Sequence, residues 1–251
     1  MTRTHQKHIR VYVDGYDLSG YSRQVGPLSV AFGANPDAAF TDGCKNITMG
    51  QADIQAGTLN AFLENDAAGL FGLYKAGSGT RNLLVAIGVN AAPVAGDPVF
   101  AWKMEQSAYT AEGGEGFTSA TLPFGGASYA STLTYSKPWG VLLHANAAET
   151  AANTATGLDG TAQTTAGGVF AYHLLSSDGT VTLKVQDAST NSNGSFGDLS
   201  GATSGSIDAT TTPVSGMVAL STTATVKRYI RWQLALGTAS TATFVAAFIR
   251  G

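Results

Sequence analysis

The sequence predicts a mainly β protein, a β-sandwich or β-barrel with one short flanking helix. Short runs of alternating apolar and polar residues recur along most of the 251 residues, and this is the pattern of half-buried strands. Stretches rich in Gly, Ser, Thr and Ala separate the runs, and the chain has 31 glycines. A single segment places apolar residues at helical spacing.

The composition limits the classes of function. Charged residues make up 12% of the chain, against about a quarter in an average globular domain, so other subunits are expected to cover part of the surface. The net charge of −3 argues against a nucleic-acid reader that depends on phosphate neutralisation. The single cysteine, Cys44, excludes an intramolecular disulfide and a multi-cysteine metal site. No apolar run reaches the ~18 residues of a membrane span.

The first elements are a polar arm and a strand that ends in a turn. Residues 1–8 are expected to form a flexible N-terminal arm without a signal peptide. The stretch "HIRVYVDGYDLSG" alternates and then meets Asp14–Gly15, which predicts a strand followed by a turn. A short extended piece is predicted at "GPLSVAF", and a loop from Asn35 to Ile47.

The helix is predicted in "QADIQAGTLNAFLENDAAGLFGLYKAG". Glycines interrupt the helical spacing of its apolar residues, so the predicted helix is short. The residues that define the spacing are Leu59, Phe62, Leu63, Ala67 and Leu70.

Strands are predicted from "RNLLVAIGV" onward. The segment "GGVFAYHLLSSDGTVTLKVQD" predicts a hairpin, because two alternating runs flank Asp178–Gly179 and an Asp-Gly pair supplies the positive φ angles of a tight hairpin turn. The alternation of the second run places Val181, Leu183 and Val185 on one face.

The chain closes with "VKRYIRWQLALGTASTATFVAAFIRG", which predicts a terminal hairpin. Its second strand is apolar on both faces, since Phe244, Ala246 and Phe248 alternate with equally apolar neighbours. A strand of this kind is covered on both faces. The helix or a neighbouring subunit is expected to supply the second cover.

The histidines predict structural roles. His5 and His8 belong to the polar arm, whereas His144 and His173 stand alone in predicted strands. A lone strand histidine is usually a hydrogen-bonded structural residue.

The acids also predict no chemistry. Asp14 and Asp17 suit the capping of turn amides, while Glu105, Glu112 and Glu115 suit solvated or lumen-facing charge. Nucleophile elbow, P-loop and EF-hand patterns are missing. The sequence therefore predicts no enzyme, with no catalytic, cofactor-binding or metal-ligating residues and no cofactor.

The domain prediction has two forms. The segments "AWKMEQSAYTAEGGEGF" and "TLKVQDASTNSNGSF" share a lysine-centred strand, a polar loop and a Gly-Phe or Gly-Ser-Phe ending. This similarity suggests two related β units, 9–130 with the short helix and 131–251 with the terminal hairpin. One continuous domain is the alternative.

Several motifs, in this order, resemble the major tail proteins of tailed double-stranded DNA bacteriophages. They are "VYVDGYDLSGY", "WGVLLHA" followed by a Thr/Ala-rich loop with "GLDG", "TVTLKVQDAST", and the closing "VKRYIRWQLALGTASTATFVAAFIRG". The resemblance spans nearly the whole chain. It departs at "PVSGMVALS", where such proteins are expected to carry a basic residue.

This resemblance implies a β-sandwich or barrel of the tail-tube type, without catalytic residues, that polymerises into stacked rings around a channel for genomic DNA. The rings would hold six subunits, or three if the chain carries two tube domains. Implied partners are the chain itself, the tape-measure protein and the tail-terminator or baseplate proteins. The protein would be made in the host cytoplasm and reside in the virion tail.

Two alternatives stay open. A head decoration or baseplate protein has a similar composition. A carbohydrate-binding β-sandwich needs exposed aromatic residues in a groove, whereas Trp102, Trp139 and Trp232 lie in alternating runs where burial is expected.

Ring contacts are expected from polar segments that order on contact. The candidates are the arm 1–8, the Asn35–Ile47 loop and the stretch Glu149–Gly168, and neither the arm nor the last stretch is expected to supply core side chains. The cations Lys227, Arg228 and Arg231 are not expected to form a DNA-binding patch, because adjacent strand positions face opposite sides.

Overall fold

The computed structural model describes residues 6–37, 46–63, 70–113, 118–127 and 137–251. Within these ranges the chain is mainly β, as the sequence predicts, with one short helix, α1 (Leu70–Tyr74). The strands are β1 (Ile9–Val13), β2 (Tyr16–Asp17), β3 (Ser22–Gly26), β4 (Ser29–Asp37), β5 (Asn46–Gln55), β6 (Gly57–Phe62), β7 (Gly79–Ile87), β8 (Pro98–Gln106), β9 (Thr110–Gly113), β10 (Thr118–Ala127), β11 (Trp139–Glu149), β12 (Leu158–Asp159), β13 (Gly168–Ser177), β14 (Thr180–Ala188), β15 (Gly197–Asp208), β16 (Val214–Ala219), β17 (Tyr229–Leu236) and β18 (Ala242–Arg250).

The described strands form three antiparallel sheets. The larger sheet has twelve strands, with the order β16-β13-β18-β11-β8-β10-β6-β3 along its main path and β1, β2, β7 and β9 attached beside it. The smaller sheet has the order β12-β17-β14-β15, and β4 pairs with β5 in a two-stranded sheet.

Two hydrophobic clusters form the core. The first lies within the larger sheet, which curls so that strands of both its ends line one interior, with Val13, Leu83 and Trp102 among the buried residues. The second fills the space between the larger and smaller sheets, where Phe170 and Val185 are buried. The architecture is therefore a sandwich with a barrel-like half.

Strand β18 separates the two clusters. Val245, Ala247 and Ile249 belong to the first cluster, and Phe244, Ala246 and Phe248 to the second, so the prediction of a strand covered on both faces is confirmed. The predicted source of the second cover is wrong. The chain itself covers both faces, with the curled larger sheet on one side and the smaller sheet on the other.

The first turn is a true hairpin. Tyr12 pairs with Asp17, and Val13 with Tyr16. The connecting Asp14 and Gly15 have φ angles of 52° and 92°, the left-handed values that a two-residue hairpin loop favours. The predicted strand and turn are confirmed.

The predicted hairpin at Asp178–Gly179 is wrong. Strand β13 pairs with β16 and β18 in the larger sheet, whereas β14 pairs with β15 and β17 in the smaller sheet. Residues 178–179 are therefore an arch that crosses from one sheet to the other. Neither Asp178 nor Gly179 has a positive φ angle, so the hairpin geometry that the dipeptide suggested is not used. The predicted common face of Val181, Leu183 and Val185 on β14 is confirmed, and this face is buried in the second cluster.

The predicted terminal hairpin is wrong for the same reason. Strand β17 lies in the smaller sheet and β18 in the larger one, so residues 237–241 form a second arch. The alternating residues predicted both strands correctly, but alternation does not identify the partner of a strand. A strand with two apolar faces needs cover on both sides, and the arch places β18 between the two hydrophobic clusters.

The two arches contact each other. The amides of Gly237 and Thr238 donate to Thr180 O and Oγ1 over 2.9 and 3.1 Å. Gly179 is required by this close approach, because a Cβ there would lie 2.7 Å from Thr238 Oγ1 and 2.8 Å from Ala239 N.

The carboxylate of Asp178 closes the contact between the arches. Its Oδ1 accepts hydrogen bonds from the amides of Ser240 and Thr241 at 2.8 and 2.9 Å, and Oδ2 accepts one from the Ser240 hydroxyl. The hydroxyl and these amides stabilise the charged form and lower the pKa of Asp178 to about 2.

The predicted helix is largely wrong. Leu59 and Phe62 lie on β6, which pairs with β3 and β10, and Ala67 lies outside the described residues. Only Leu70 belongs to α1, where it is buried. Residues of a strand can fall at helical spacing by chance, and the β pairing on both sides of β6 outweighs a weak helical preference that glycines interrupt.

The boundary between the two predicted β units, 130/131, lies outside the described residues. The larger sheet contains strands from both sides of it, since β8 pairs with β11. Of the predicted arm 1–8, residues 1–5 also lie outside the description, and Gln6–His8 form a 3-10 turn that leads into β1.

Candidate interaction surfaces

A long two-stranded hairpin, the β-arm (Ser29–Gln55), is the first candidate. Its register runs from Ser29↔Gln55 to Asp37↔Asn46. At about 3.4 Å per residue the paired part is roughly 27 Å long. Strands β4 and β5 form hydrogen-bonded ladders only with each other among the described strands. The predicted loop Asn35–Ile47 is thus strand at both ends, and residues 38–45 lie outside the description.

The base of the β-arm is fixed in the core. Ile54 and Ala56 are buried in the first cluster, and Leu28 and Val30 pack against it. Farther along, Phe32 is 48% exposed. The β-arm thus has an anchored base and a half-exposed phenylalanine farther along. The sequence analysis missed this arm, although β-branched residues in "NITMGQADIQ" favour a strand.

The stretch Glu149–Gly168 does not behave as a free loop. It contains β12, which pairs with β17, and Thr164 forms a bridge with Val226. Asn153 Nδ2 donates to Trp232 O at 3.1 Å. The segment therefore covers the edge of the smaller sheet. The stretch was expected to supply no core side chains; Leu158 packs against the second cluster, and these bonds satisfy backbone groups of β17.

The cations near β17 are held by partners within the chain. Lys227 Nζ lies 3.5 Å from Asp187 Oδ1. Arg228 forms a two-pronged ion pair with Asp159, with Nε–Oδ1 at 2.7 Å and Nη2–Oδ2 at 2.6 Å. Its hydrogen bonds lower the pKa of the Asp159 carboxyl to about 2. Each of these two cations is thus paired with a different acid of the chain.

Arg231 is a structural cation that the alternation placed on a polar face. It is 6% exposed and donates to Gln186 Oε1, Ala155 O and Asn193 Oδ1 over 2.6–3.0 Å. Its guanidinium also lies 4.3 Å from the centre of the Phe196 ring. It thereby connects β17 to β14, to the 193–195 turn and to the 150–167 segment, which is the part of Glu149–Gly168 between β11 and β13.

His144 has the predicted structural role. It is 6% exposed, with Nδ1 3.0 Å from Phe244 O and Nε2 3.0 Å from Glu149 Oε1. The ring stacks on Phe244 and meets Trp232 edge-on. Since the carbonyl can only accept, Nδ1 donates to it.

His173 is a buried histidine on β13 that contacts the first turn. It is fully buried, and its Nδ1 accepts from the Gly15 amide at 2.9 Å, so the neutral ring carries its proton on Nε2. Burial lowers the pKa of His173 to about 3. Asn82 donates to Ser215 Oγ beside it. The ring is hydrogen-bonded, as expected of a strand histidine, and joins the first turn to β13.

Asp14 and Asp17 do not form a carboxylate pair. Asp14 accepts from Asn82 N at 2.8 Å and from Arg81 Nη1 at 3.1 Å, and burial raises its pKa. Asp17 accepts from the Ser19 amide at 2.9 Å. The predicted capping of a nearby amide holds for Asp17, whereas Asp14 binds strand β7 instead. Glu115 lies outside the described residues.

The tryptophans differ in burial. Trp102 is 2% exposed, as predicted, while Trp139 is 42% exposed, so its predicted burial is wrong. Trp139 begins β11 and meets Phe100 edge-on at 5.2 Å, leaving its other face uncovered at the strand end.

Two further searches concern the described residues only. No group of three or more His, Cys, Asp or Glu side chains there is placed to hold a metal ion, and Cys44 lies outside that part of the chain. No helix there is long and apolar enough to cross a membrane.

No protein-family model matches the chain, and no curated protein matches it. Among solved structures, the chain is similar to the Dit protein (gp 19.1) of phage SPP1, described as a paradigm of hub adsorption apparatus in Gram-positive infecting phages. The identity is 12%, the match covers 96% of this chain and 99% of the other, and the TM-score is 0.31. No function is transferred at this level of similarity.

Proposed function

We propose that this chain is a structural subunit of a phage tail that assembles with copies of itself into stacked rings of the tail tube. The motif order supports the proposal through its resemblance to major tail proteins. The mainly β fold suits that class, and the low charge content suits a surface that other subunits cover.

The observation that carries the proposal is the β-arm. Its base is buried in the core while Phe32 is exposed, and its strands pair with no other described strand. An arm of this length can reach a neighbouring subunit in a ring or in the next ring. The doubly apolar β18 no longer supports association, because the chain covers it.

In the proposed tube, rings hold six subunits, or three if each chain supplies two tube domains. Genomic DNA passes through the channel without sequence-specific contacts. The tape-measure protein and the terminator or baseplate proteins bind the tube interior and its ends. The virion tail is the site of function after synthesis in the host cytoplasm, and no catalytic step is involved.

Negative-stain electron microscopy of the purified chain tests the proposal. The wild-type protein is expected to form tubes or stacked rings. A variant with residues 33–51 replaced by an Asn-Gly turn should remain a folded β protein by circular dichroism but should lose the tubes. Phe32→Ser should weaken assembly, whereas Val94→Ser is the matched control, since Val94 is a 60% exposed apolar residue outside the β-arm.

The outcomes separate the alternatives. Small closed oligomers without stacking would favour a baseplate or head decoration protein. Monomers at every concentration would overturn self-assembly. Normal tubes from the arm-shortened variant would leave self-assembly standing but remove the β-arm as its cause.

A further inference from the structure

The 193–195 turn contains the one Asn-Gly pair of the sequence, Asn193–Gly194. In such a pair the glycine nitrogen can attack the side-chain carbonyl carbon of the asparagine, because glycine has no Cβ to hinder the approach. Both residues are exposed, and a Cβ built on Gly194 would meet no atom within 4 Å outside its two chain neighbours. Water therefore reaches this pair, and the surrounding chain leaves room for a reaction there.

The reacting groups take no part in holding the turn. The amides of Ser195 and Phe196 close it, with bonds to Ser192 O at 2.9 Å and to Asn193 O at 3.5 Å. Within the described ranges, Gly194 N donates to no acceptor, and the side chain of Asn193 forms one hydrogen bond, which its Oδ1 accepts. The attacking nitrogen and Nδ2, the nitrogen that must leave, are therefore uncommitted. Because 3.5 Å is long for a hydrogen bond, the turn can open for the attack at low cost.

Arg231 activates the carbonyl group that is attacked. Its Nη1 donates to Asn193 Oδ1 at 2.7 Å, while Gln186 Oε1 and Ala155 O hold the rest of the guanidinium in place. A fixed cation at a carbonyl oxygen stabilises the negative charge that develops on the oxygen when a nucleophile adds to the carbon.

The same arginine lacks an anionic partner. Arg231 is 6% exposed, and its hydrogen-bond acceptors are two side-chain amides and a backbone carbonyl, all of them neutral. No ion pair in the described part of the chain includes it. Because buried charges in proteins are usually paired, a carboxylate in place of the Asn193 amide would supply a partner where the structure has none.

We propose that Asn193 is a self-modification site, at which deamidation to aspartate creates an ion pair with Arg231. Gly194 N forms a bond to Asn193 Cγ, the Cγ–Nδ2 bond breaks, and ammonia leaves with the proton of the Gly194 amide. Water then adds to Cγ of the cyclic imide, the Cγ–N bond breaks, and one water proton passes to Gly194 N. The carboxylic acid formed on Cγ ionises. The reaction needs only solvent water and does not depend on self-assembly.

The position of Arg231 also determines the product. Addition of water at Cγ gives aspartate, whereas addition at the backbone carbonyl carbon of residue 193 gives isoaspartate. Since the guanidinium lies at the oxygen of Cγ, it favours addition at Cγ. A peptide without Arg231 has no such preference for aspartate.

Peptide mapping by mass spectrometry, with separation of aspartate from isoaspartate, tests the site after four weeks at 37 °C and pH 8. Gly194→Ala should slow the conversion of Asn193 about ten-fold, because the added Cβ hinders the attack. Gly197→Ala is the matched control, since its Cβ also meets no atom within 4 Å, and it should change nothing. The ratio of aspartate to isoaspartate should be about three-fold higher or more in the folded chain than in a synthetic peptide of residues 188–199.

A second measurement concerns the ion pair. Asn193→Asp, which reproduces the product, should raise the melting temperature at pH 7 by about 2 °C or more. Asn191→Asp adds the same charge without contacting Arg231, and it should not raise the melting temperature, because the Asn191 amide donates to Gly157 O.

Conversion of Asn193 no faster than that of Asn191, or an equal rate in Gly194→Ala and the wild type, would overturn the modification site. A product ratio equal to that of the peptide, or a melting temperature of Asn193→Asp at or below that of the wild type, would overturn the role of Arg231.

Discussion

At the level of single residues, Asp178 links the two arches that join the larger sheet to the smaller one. Its carboxylate holds Ser240 and Thr241 of the neighbouring arch. Asp178→Ala should therefore lower the melting temperature at pH 7. Asp208→Ala is the matched control, since Asp208 accepts one amide bond, from Thr210, two residues away in its own turn, and it should cost less.

The pH dependence of this effect follows from the lowered pKa. Because the pKa of Asp178 falls from 3.8 to about 2 on folding, its contribution is complete above pH 3.8 and is lost as the pH falls toward 2. Thermal unfolding from pH 7 to pH 2 should show the difference between the wild type and Asp178→Ala shrinking below about pH 4. A constant difference down to pH 2 would show that the charge of Asp178 does not hold the arch.

His173 should make the protein lose stability at a higher pH than Asp178 does. Its pKa falls from 6.5 to about 3 on burial, so the unfolded chain binds a proton below pH 6.5 that the folded chain excludes. Stability should then fall by up to about 1.4 kcal/mol per pH unit between pH 6 and pH 4. His173→Leu should be less stable at pH 7, because the Gly15 amide loses its acceptor, but its stability should depend less steeply on pH in denaturant titrations. An unchanged slope would contradict the assignment.

At the level of elements, the sequence predicted strands better than their pairing. The alternation of Val181, Leu183 and Val185 located β14 and its buried face correctly. The partner of β14 could not be read in the same way, because Asp14–Gly15 and Asp178–Gly179 are the same dipeptide and yet form a hairpin and an arch. The difference lies in tertiary contacts, above all the approach of Thr238 to Gly179.

The sequence located the 150–167 segment but not the β-arm, and there is a physical reason for the difference. Polar composition identified the 150–167 segment as a loop, but polar side chains and backbone amides can bind a sheet edge as well as solvent. The sequence did not predict the β-arm, because its glycines and Asn-Pro pair suggest a loop. Its two strands are separated along the chain by residues 38–45, and no local sequence pattern shows that the flanking runs pair with each other.

The 150–167 segment gives a test of this revised role. Shortening Ala151–Thr165 removes the Asp159 partner of Arg228 and the Ala155 carbonyl that Arg231 binds. The backbone bonds between Thr164 and Val226 and the bonds of Asn153 and Ala155 to β17 are also lost. At roughly 1 kcal/mol each, they should lower the free energy of unfolding by about 3 kcal/mol or more. The arm-shortened variant is the control, since it should unfold close to the wild type. Equal stability of both variants in urea titrations would return the segment to the class of free loops.

At the level of the whole molecule, charged groups are sparse. The ions near β17 are paired within the chain, as Arg228–Asp159 and Lys227–Asp187 show, and only 12% of all residues are charged. The proposed ring contacts must therefore depend mainly on apolar and backbone groups. Such contacts strengthen with temperature near 25 °C, because apolar burial is entropic there, and salt screens them little.

Sedimentation velocity across ionic strength tests this property of the assembly. Raising NaCl from 50 to 500 mM shortens the Debye length from over 10 Å to about 4–5 Å, which would dissolve an assembly held by ion pairs. The wild-type assembly should instead keep its association constant within about ten-fold, and warming from 5 to 25 °C should favour it. Phe32→Ser should weaken association equally at both salt concentrations, whereas Arg228→Gln, which removes an intramolecular pair, should leave it unchanged. Dissociation at 500 mM NaCl would show that charged side chains, rather than the β-arm, hold neighbouring subunits together.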